Sequence, residues 1–181
     1  MLDAITAGTL NWPWPIRIQT LGSFHIITET GPVTFKRKAP LTPLRLLKLL
    51  ISLGGQNISL TRLADDLWPD AEGDAAYRSI LTNLARLRKL LGREDALRVQ
   101  GGVLSLNTCL CWVDSLACEY MAKTALVASS AGNKTEARTL TTRALSLYQA
   151  PFLSAEEALV EVEVTRMRLN TLYTQLVSAM A

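Results

Sequence analysis

In the stretch YRSILTNLARLRKLLG, Tyr77 to Gly92, the cations Arg78, Arg86, Arg88 and Lys89 are followed at once by Arg93, and no Asp or Glu falls between Tyr77 and Arg93. The chemistry these groups supply is recognition rather than bond making. A guanidinium presents a planar fork of N–H donors that matches a phosphate, or the edge of a guanine, through two parallel bonds, and an ammonium neutralises phosphate as a point charge. At about 100° per residue, Tyr77, Ile80, Leu84, Leu87 and Leu91 fall in one stripe, which predicts a helix with that stripe against a core. The opposite side then holds Arg78, Ser79, Thr82, Ala85, Arg86 and Lys89, with Asn83, Arg88 and Leu90 on the flanks. Ser79, Thr82 and Ala85 are small enough for the helix backbone to come close to another surface. A face that only keeps a helix in water usually mixes signs. From this segment alone, a solvated outer face and an anion-binding face both remain open.

The other residues with chemical potential form no constellation. Asp65 and Asp66 point to different sides of one helical stretch, Asp70 and Asp74 suit a turn and a cap, and no nucleophile or metal-binding histidine accompanies them. That argues against an enzyme. Cys109, Cys111 and Cys118 are an odd set, with Cys109 and Cys111 too close for an easy bridge, and the single histidine, His25, is remote. Zinc needs about four N or S ligands at finger-like spacing, which are missing here. All three cysteines are therefore expected as small buried or half-buried apolar residues. No metal or other cofactor is expected. His25 reads as a surface or half-buried residue of a strand, and Trp68 as a core anchor under a helix pair.

With 181 residues of which 49% are hydrophobic, the chain can bury one large core or two small ones. Its net charge of +3, from 19 basic and 16 acidic residues, does not by itself announce a polyanionic partner, so distribution decides. Between Arg17 and Ile58 six basic residues face the single acid Glu29, whereas acids gather at Asp65 to Asp74 and Glu156 to Glu163. No basic-then-apolar leader and no long apolar run is visible, so neither secretion nor a membrane span is expected, and the cytoplasm is the expected location.

Stepping along the chain, residues 1–15 carry two Trp-Pro steps and little periodicity, as a lead-in or linker would. IRIQTLGSFHII from Ile16 alternates like a half-buried strand, and TETGPVTF adds a turn and a second short strand, a small β-meander. LTPLRLLKLLISLGG predicts a helix capped by Thr42, with Pro43 at its first position and Leu44, Leu47, Leu50 and Ile51 on one face; Gly54-Gly55 ends it. SLTRLADDLWPD predicts a helix capped by Ser59, buried through Leu60, Leu63, Ala64 and Leu67 and stopped by Pro69. The Tyr77 helix begins near Asp74 and closes at Gly92. LRVQGGVLSLN, Leu97 to Asn107, is a hairpin around Gly101-Gly102. Strands, three helices and a terminal hairpin make a winged helix with an extra N-terminal sheet.

From Trp112 only helices are expected, at about Asp114 to Ala131, Lys134 to Gln149 and Ser154 to the end. Ala137, Leu140, Ala144 and Leu147 on one face suggest antiparallel pairs of the tetratricopeptide kind. In EEALVEVEV and beyond, Leu159, Val162 and Leu169 are expected to pack while Glu157, Glu161 and Arg168 are solvated. The fold class is thus α+β, with a winged helix at 16–108 and an all-α region at 112–181.

Taken together, IRIQTLGSFHI, LTPLRLLKLLISLGG, ISLTRLADDLWPDAEGDAAYRSILTNLARLRKLLG, LRVQGGVLSL, WVDSLACE and ALSLYQAPFL resemble the OmpR-type winged helix joined to a bacterial transcriptional activator domain, as in the antibiotic regulatory protein family of activators. The resemblance spans roughly residues 16 to 155. It implies a DNA-binding transcriptional regulator with Tyr77 to Leu91 as recognition helix and Leu97 to Leu106 as wing. Arg78, Ser79, Thr82, Arg86 and Lys89 would then face the major groove of double-stranded DNA, and Arg98 and Gln100 the flanking backbone or minor groove. The family also implies RNA polymerase as a partner. The helical region is shorter than the full activator domain of that family, and no GxxxxGK[ST] nucleotide loop occurs. A homodimer stays open, and so does a protein-interaction module built on a winged helix that no longer binds DNA.

Overall fold

A computed structural model describes residues 13–35, 39–155 and 160–180. Most of the lead-in, the Lys36–Lys38 run and the Glu156–Leu159 half of the acidic run lie outside the described residues. In chain order the elements are β1 (Ile16–Gln19), β2 (His25–Thr28), β3 (Gly31–Pro32), α1 (Leu41–Ser52), β4 (Ile58–Ser59), α2 (Leu60–Leu67), α3 (Gly73–Leu91), β5 (Leu97–Gln100), β6 (Val103–Leu106), β7 (Cys111–Val113), α4 (Asp114–Ser130), α5 (Lys134–Leu147) and α6 (Val160–Met180). The class is mixed α+β.

The alternation in IRIQ buries Ile16 and Ile18 and leaves Arg17 and Gln19 on the other face. β1 pairs antiparallel with β2, which pairs with the two-residue β3; Gly31 and Pro32, expected at the turn, form that strand, and the turn falls before them at Glu29 and Thr30. A fourth strand was not foreseen. β7 lies parallel to β1, with Ile16 opposite Cys111 and Ile18 opposite Val113, giving the order β3-β2-β1-β7. Asp114 fastens this junction. Its carboxylate accepts bonds from the Thr20 amide at 2.8 Å and hydroxyl at 2.6 Å, the Leu21 amide at 3.0 Å and its neighbour Ser115's amide at 2.7 Å. Burial pushes this carboxyl above the usual Asp range, and the four donors pull against that rise.

α1 begins at Leu41 with Pro40 at the cap position, so Thr42 lies inside the first turn and does not cap. Pro43 is tolerated there because first-turn amides have no partner within the helix. Beyond the expected face, Leu46 and Leu49 are also buried, because α3 packs on one side of α1 and α6 on another. Gly54 and Gly55 follow α1 with φ of +97° and +74°. Ser59 caps α2 through the Arg62 amide, and Leu60, Leu63, Ala64 and Leu67 are buried as the spacing predicts. α3 starts one residue before Asp74, with Glu72 at its cap position, and ends at Gly92 in the left-handed region at φ 72°. The hairpin β5–β6 turns at Gly101 and Gly102, with φ of +58° and +76°, and β4 pairs with β6 to complete a three-stranded sheet in the order β4-β6-β5.

α4 and α5 form an antiparallel pair whose contact is lined by Ala122, Ala125, Ala137 and Ala144, small residues that let the axes approach. Asn133 caps α5, its side chain accepting from the Glu136 amide. α6 then packs on α4, α5 and α1 through Val162, Thr165, Leu169 and Leu176. The Thr165 hydroxyl donates to the Ser52 carbonyl at 2.9 Å. Between α5 and α6 the Pro151-Phe152-Leu153 turn returns to the sheet: the Leu153 amide donates to the Thr20 carbonyl at 2.7 Å, and the Arg166 guanidinium donates to the Phe152 and Leu153 carbonyls at 2.9 and 2.8 Å. One apolar cluster consequently runs from Ile16 through α1 and α3 to Leu176.

Candidate nucleic-acid interface

The buried stripe of α3 is Ala76, Ile80, Asn83, Leu84, Leu87 and Leu91. Tyr77, expected in that stripe, is instead 40% exposed, and Asn83, expected on a flank, is buried. Asn83 and Tyr77 lie on opposite edges of the stripe, and α3 is turned so that the Asn83 edge is covered; the Asn83 amide finds a partner without leaving the helix, donating to the Ser79 carbonyl at 2.8 Å. Burial of a Leu or Ile side chain is worth roughly 1.5–3 kcal/mol, so Ile80, Leu84, Leu87 and Leu91 together fix the rotation of α3 about its axis. That rotation presents Tyr77, Arg78, Leu81, Thr82, Ala85, Arg86 and Lys89 to solvent, with Ser79 half-buried beside them.

The cations of this segment divide into two groups. Arg88 is half-buried and donates to the Leu97 carbonyl through Nε at 3.2 Å and a terminal nitrogen at 2.8 Å, with Glu94 4.0 Å away. It ties the last turn of α3 to the first residue of β5. Arg93 is held by Glu29 at 3.4 Å and Asp95 at 3.5 Å. Arg78, Arg86 and Lys89 form the other group, exposed on α3 and, among the described residues, with no carboxylate within ion-pair distance. The Arg78 Nε donates to the Asp74 carbonyl at 3.2 Å, steering its guanidinium along the helix. Thr82 donates its hydroxyl to the Arg78 carbonyl at 3.0 Å.

β5 is an edge strand in which Arg98, Val99 and Gln100 are all exposed. The Leu60 amide donates to the Gly102 carbonyl at 2.9 Å, which anchors the hairpin tip to the start of α2. Arg78, Ser79, Thr82, Arg86 and Lys89 therefore share one helix, while Arg98 and Gln100 stand on a strand joined to that helix by Arg88. Leu81 was absent from the expected set. Three residues before Leu84, it falls about 60° from that side chain, at the edge of the stripe beyond Tyr77, where the core no longer covers it fully.

No protein-family model matches the chain. Over 110 residues, 61% of the chain, it is 30% identical to the Regulatory protein AfsR of Streptomyces griseus, and that match spans only 11% of AfsR. Among solved structures, Mycobacterium tuberculosis EmbR in complex with a low affinity phosphopeptide superposes with a TM-score of 0.67 at 20% identity, covering 91% of this chain and 44% of that one. The fold is similar to that of EmbR. At this identity the likeness concerns the fold alone.

The remaining residues with chemical potential are dispersed. His25 is exposed at the start of β2, and Trp68 is half-buried against the core at the end of α2. Asp65, Asp70 and Asp74 are exposed, and Asp66 pairs with Arg62 at 3.6 Å. Cys111 and Cys118 are buried, their thiols pushed up to about 12 by loss of solvent. Cys109, expected to be at least half-buried, is exposed: it sits in the turn after Asn107, where its amide donates to the Asn107 side chain at 3.2 Å and its side chain has no element to pack against. No helix among the described residues is long and apolar enough to cross a membrane.

Proposed function

We propose that this chain is a DNA-binding transcriptional regulator, an activator in the resemblance it bears, that lays α3 in the major groove of double-stranded DNA. The observation carrying this reading is the outward face of α3 from Tyr77 onward, which has no acid and on which Arg78, Arg86 and Lys89 lack carboxylate partners among the described residues. Cations left unpaired beside small residues are poised to neutralise phosphate and approach base edges, with Thr82 and Ser79 close to the groove floor. Arg98 and Gln100 on the wing meet the flanking backbone or minor groove. The similarity to a regulatory protein supports a regulatory role. In this account residues 16–108 hold the duplex and the tetratricopeptide-like region 112–181 addresses protein, with RNA polymerase as the partner the family resemblance suggests and a homodimer as a second. The site uses no cofactor and catalyses no reaction, and the setting is cytoplasmic.

A protein-interaction module is the second reading, favoured by Val160, Val164 and Met167, exposed at helical spacing on α6. Salt separates the two. Affinity for mixed-sequence duplex should fall steeply as salt rises, and Arg86→Ala and Lys89→Ala should each weaken binding and flatten the dependence of log affinity on log salt by about one unit. If no duplex binds at low salt, the interaction reading takes its place.

A further inference from the structure

The solvent side of α3 is not uniformly polar. Leu81 is 44% exposed and Tyr77 40% exposed, one helical turn apart, and Ala85 continues the line a turn later. A single wet leucine is unremarkable on a protein surface. This one has Arg78, Lys89 and Arg86 along one side of it on the helix, with Asp74 two turns before it, and its neighbour Thr82 has its hydroxyl engaged by the Arg78 carbonyl, which leaves the methyl as its outward group. The result is an apolar strip made of Leu81, Ala85 and the Thr82 methyl, set beside a row of cations. A strip of that composition calls for a partner that is strongly anionic at its rim and carries small apolar groups on its floor. Thymine is the base that offers one, the 5-methyl group, in the major groove of B-form DNA.

We propose that Leu81, with Ala85 and the Thr82 methyl beside it, packs on thymine 5-methyl groups, so that the duplex this chain selects has thymine at the middle of the α3 contact. The inference rests on the DNA-binding reading and adds to it the base that the apolar strip reads. Arg78 and Arg86 lie beside the strip and address purine edges or phosphates; Leu81 supplies discrimination among pyrimidines.

The test begins with selection of tight-binding duplexes from a randomised pool by the full chain. Each thymine of the selected site is then replaced by deoxyuridine, which removes the methyl and keeps every hydrogen-bonding group. At one or two adjacent positions the replacement should weaken wild-type binding about fourfold, the value of one methyl withdrawn from water. The same replacement should cost Leu81→Ala clearly less than it costs the wild type, since only Ala85 and the Thr82 methyl remain in contact, with thermal unfolding of the variant followed alongside. If every uracil replacement is silent, or costs Leu81→Ala as much as the wild type, the proposal is overturned while the DNA reading stands. If the pool enriches no duplex, the DNA reading falls and this inference with it.

Discussion

Arg86 and Arg88 stand two positions apart on α3 and have different occupations. Arg88 is spent inside the protein on the Leu97 carbonyl, whereas Arg86 is exposed and free of carboxylates among the described residues. The sequence pattern separated them correctly, placing Arg88 on a flank and Arg86 outward, because charge and helical phase suffice for that. Tyr77 was misplaced because a periodic stripe defines a direction only to within about half a turn-to-turn offset, and a half-polar ring at its edge is read either way. The cysteines allow a direct check. Buried thiols held near 12 stay protonated and unreactive at neutral pH, so a maleimide should modify Cys109 alone in the folded chain and all three cysteines in denaturant, as counted by intact mass. Rapid modification of Cys118 in the folded chain would place it outside the α4–α5 contact.

At the scale of elements, the wing was legible because its information is local: alternating runs around two glycines require a tight turn, and both glycines adopt positive φ. A Cβ at Gly102 would meet nothing within 4 Å, so the cost of Gly102→Ala is backbone strain alone. It should destabilise the protein by about 1–2 kcal/mol in urea unfolding, and weaken duplex binding more than stability, since the tip also anchors α2. The fourth strand was illegible for the opposite reason. Cys111–Val113 is three residues long and buried throughout, so it shows no alternation, and its pairing with β1 closes a loop of more than ninety residues that no local pattern encodes. The start of α1 lies two residues earlier than expected because Thr42 and Pro43 offer a good cap signal that the chain bypasses, beginning the helix after Pro40 instead.

Across the whole molecule, the apolar cluster joins the N-terminal sheet, α1, α3 and the helices after β7, and Phe152 sits where they meet. It is fully buried, bridges to Leu21, and its carbonyl is held by Arg166 of α6. Phe152→Ala should therefore cost about 3–5 kcal/mol, and tryptophan fluorescence and far-ultraviolet circular dichroism should still report one shared transition in denaturant. Two separated transitions would mean that the winged-helix part and the helical part fold independently. A core shared in this way also fixes where α3 points relative to α4–α6, leaving the cationic face and the α6 valines on surfaces that can be assigned separately. The most direct measurement of that assignment uses the unaltered chain: duplex DNA with 5-iodouracil in place of thymine is bound at low salt, irradiated, and the crosslinked peptides are mapped by mass spectrometry. The account predicts crosslinks within residues 77–90 of α3 and 97–103 of the wing; crosslinks confined to α4–α6, with none on α3, would contradict it.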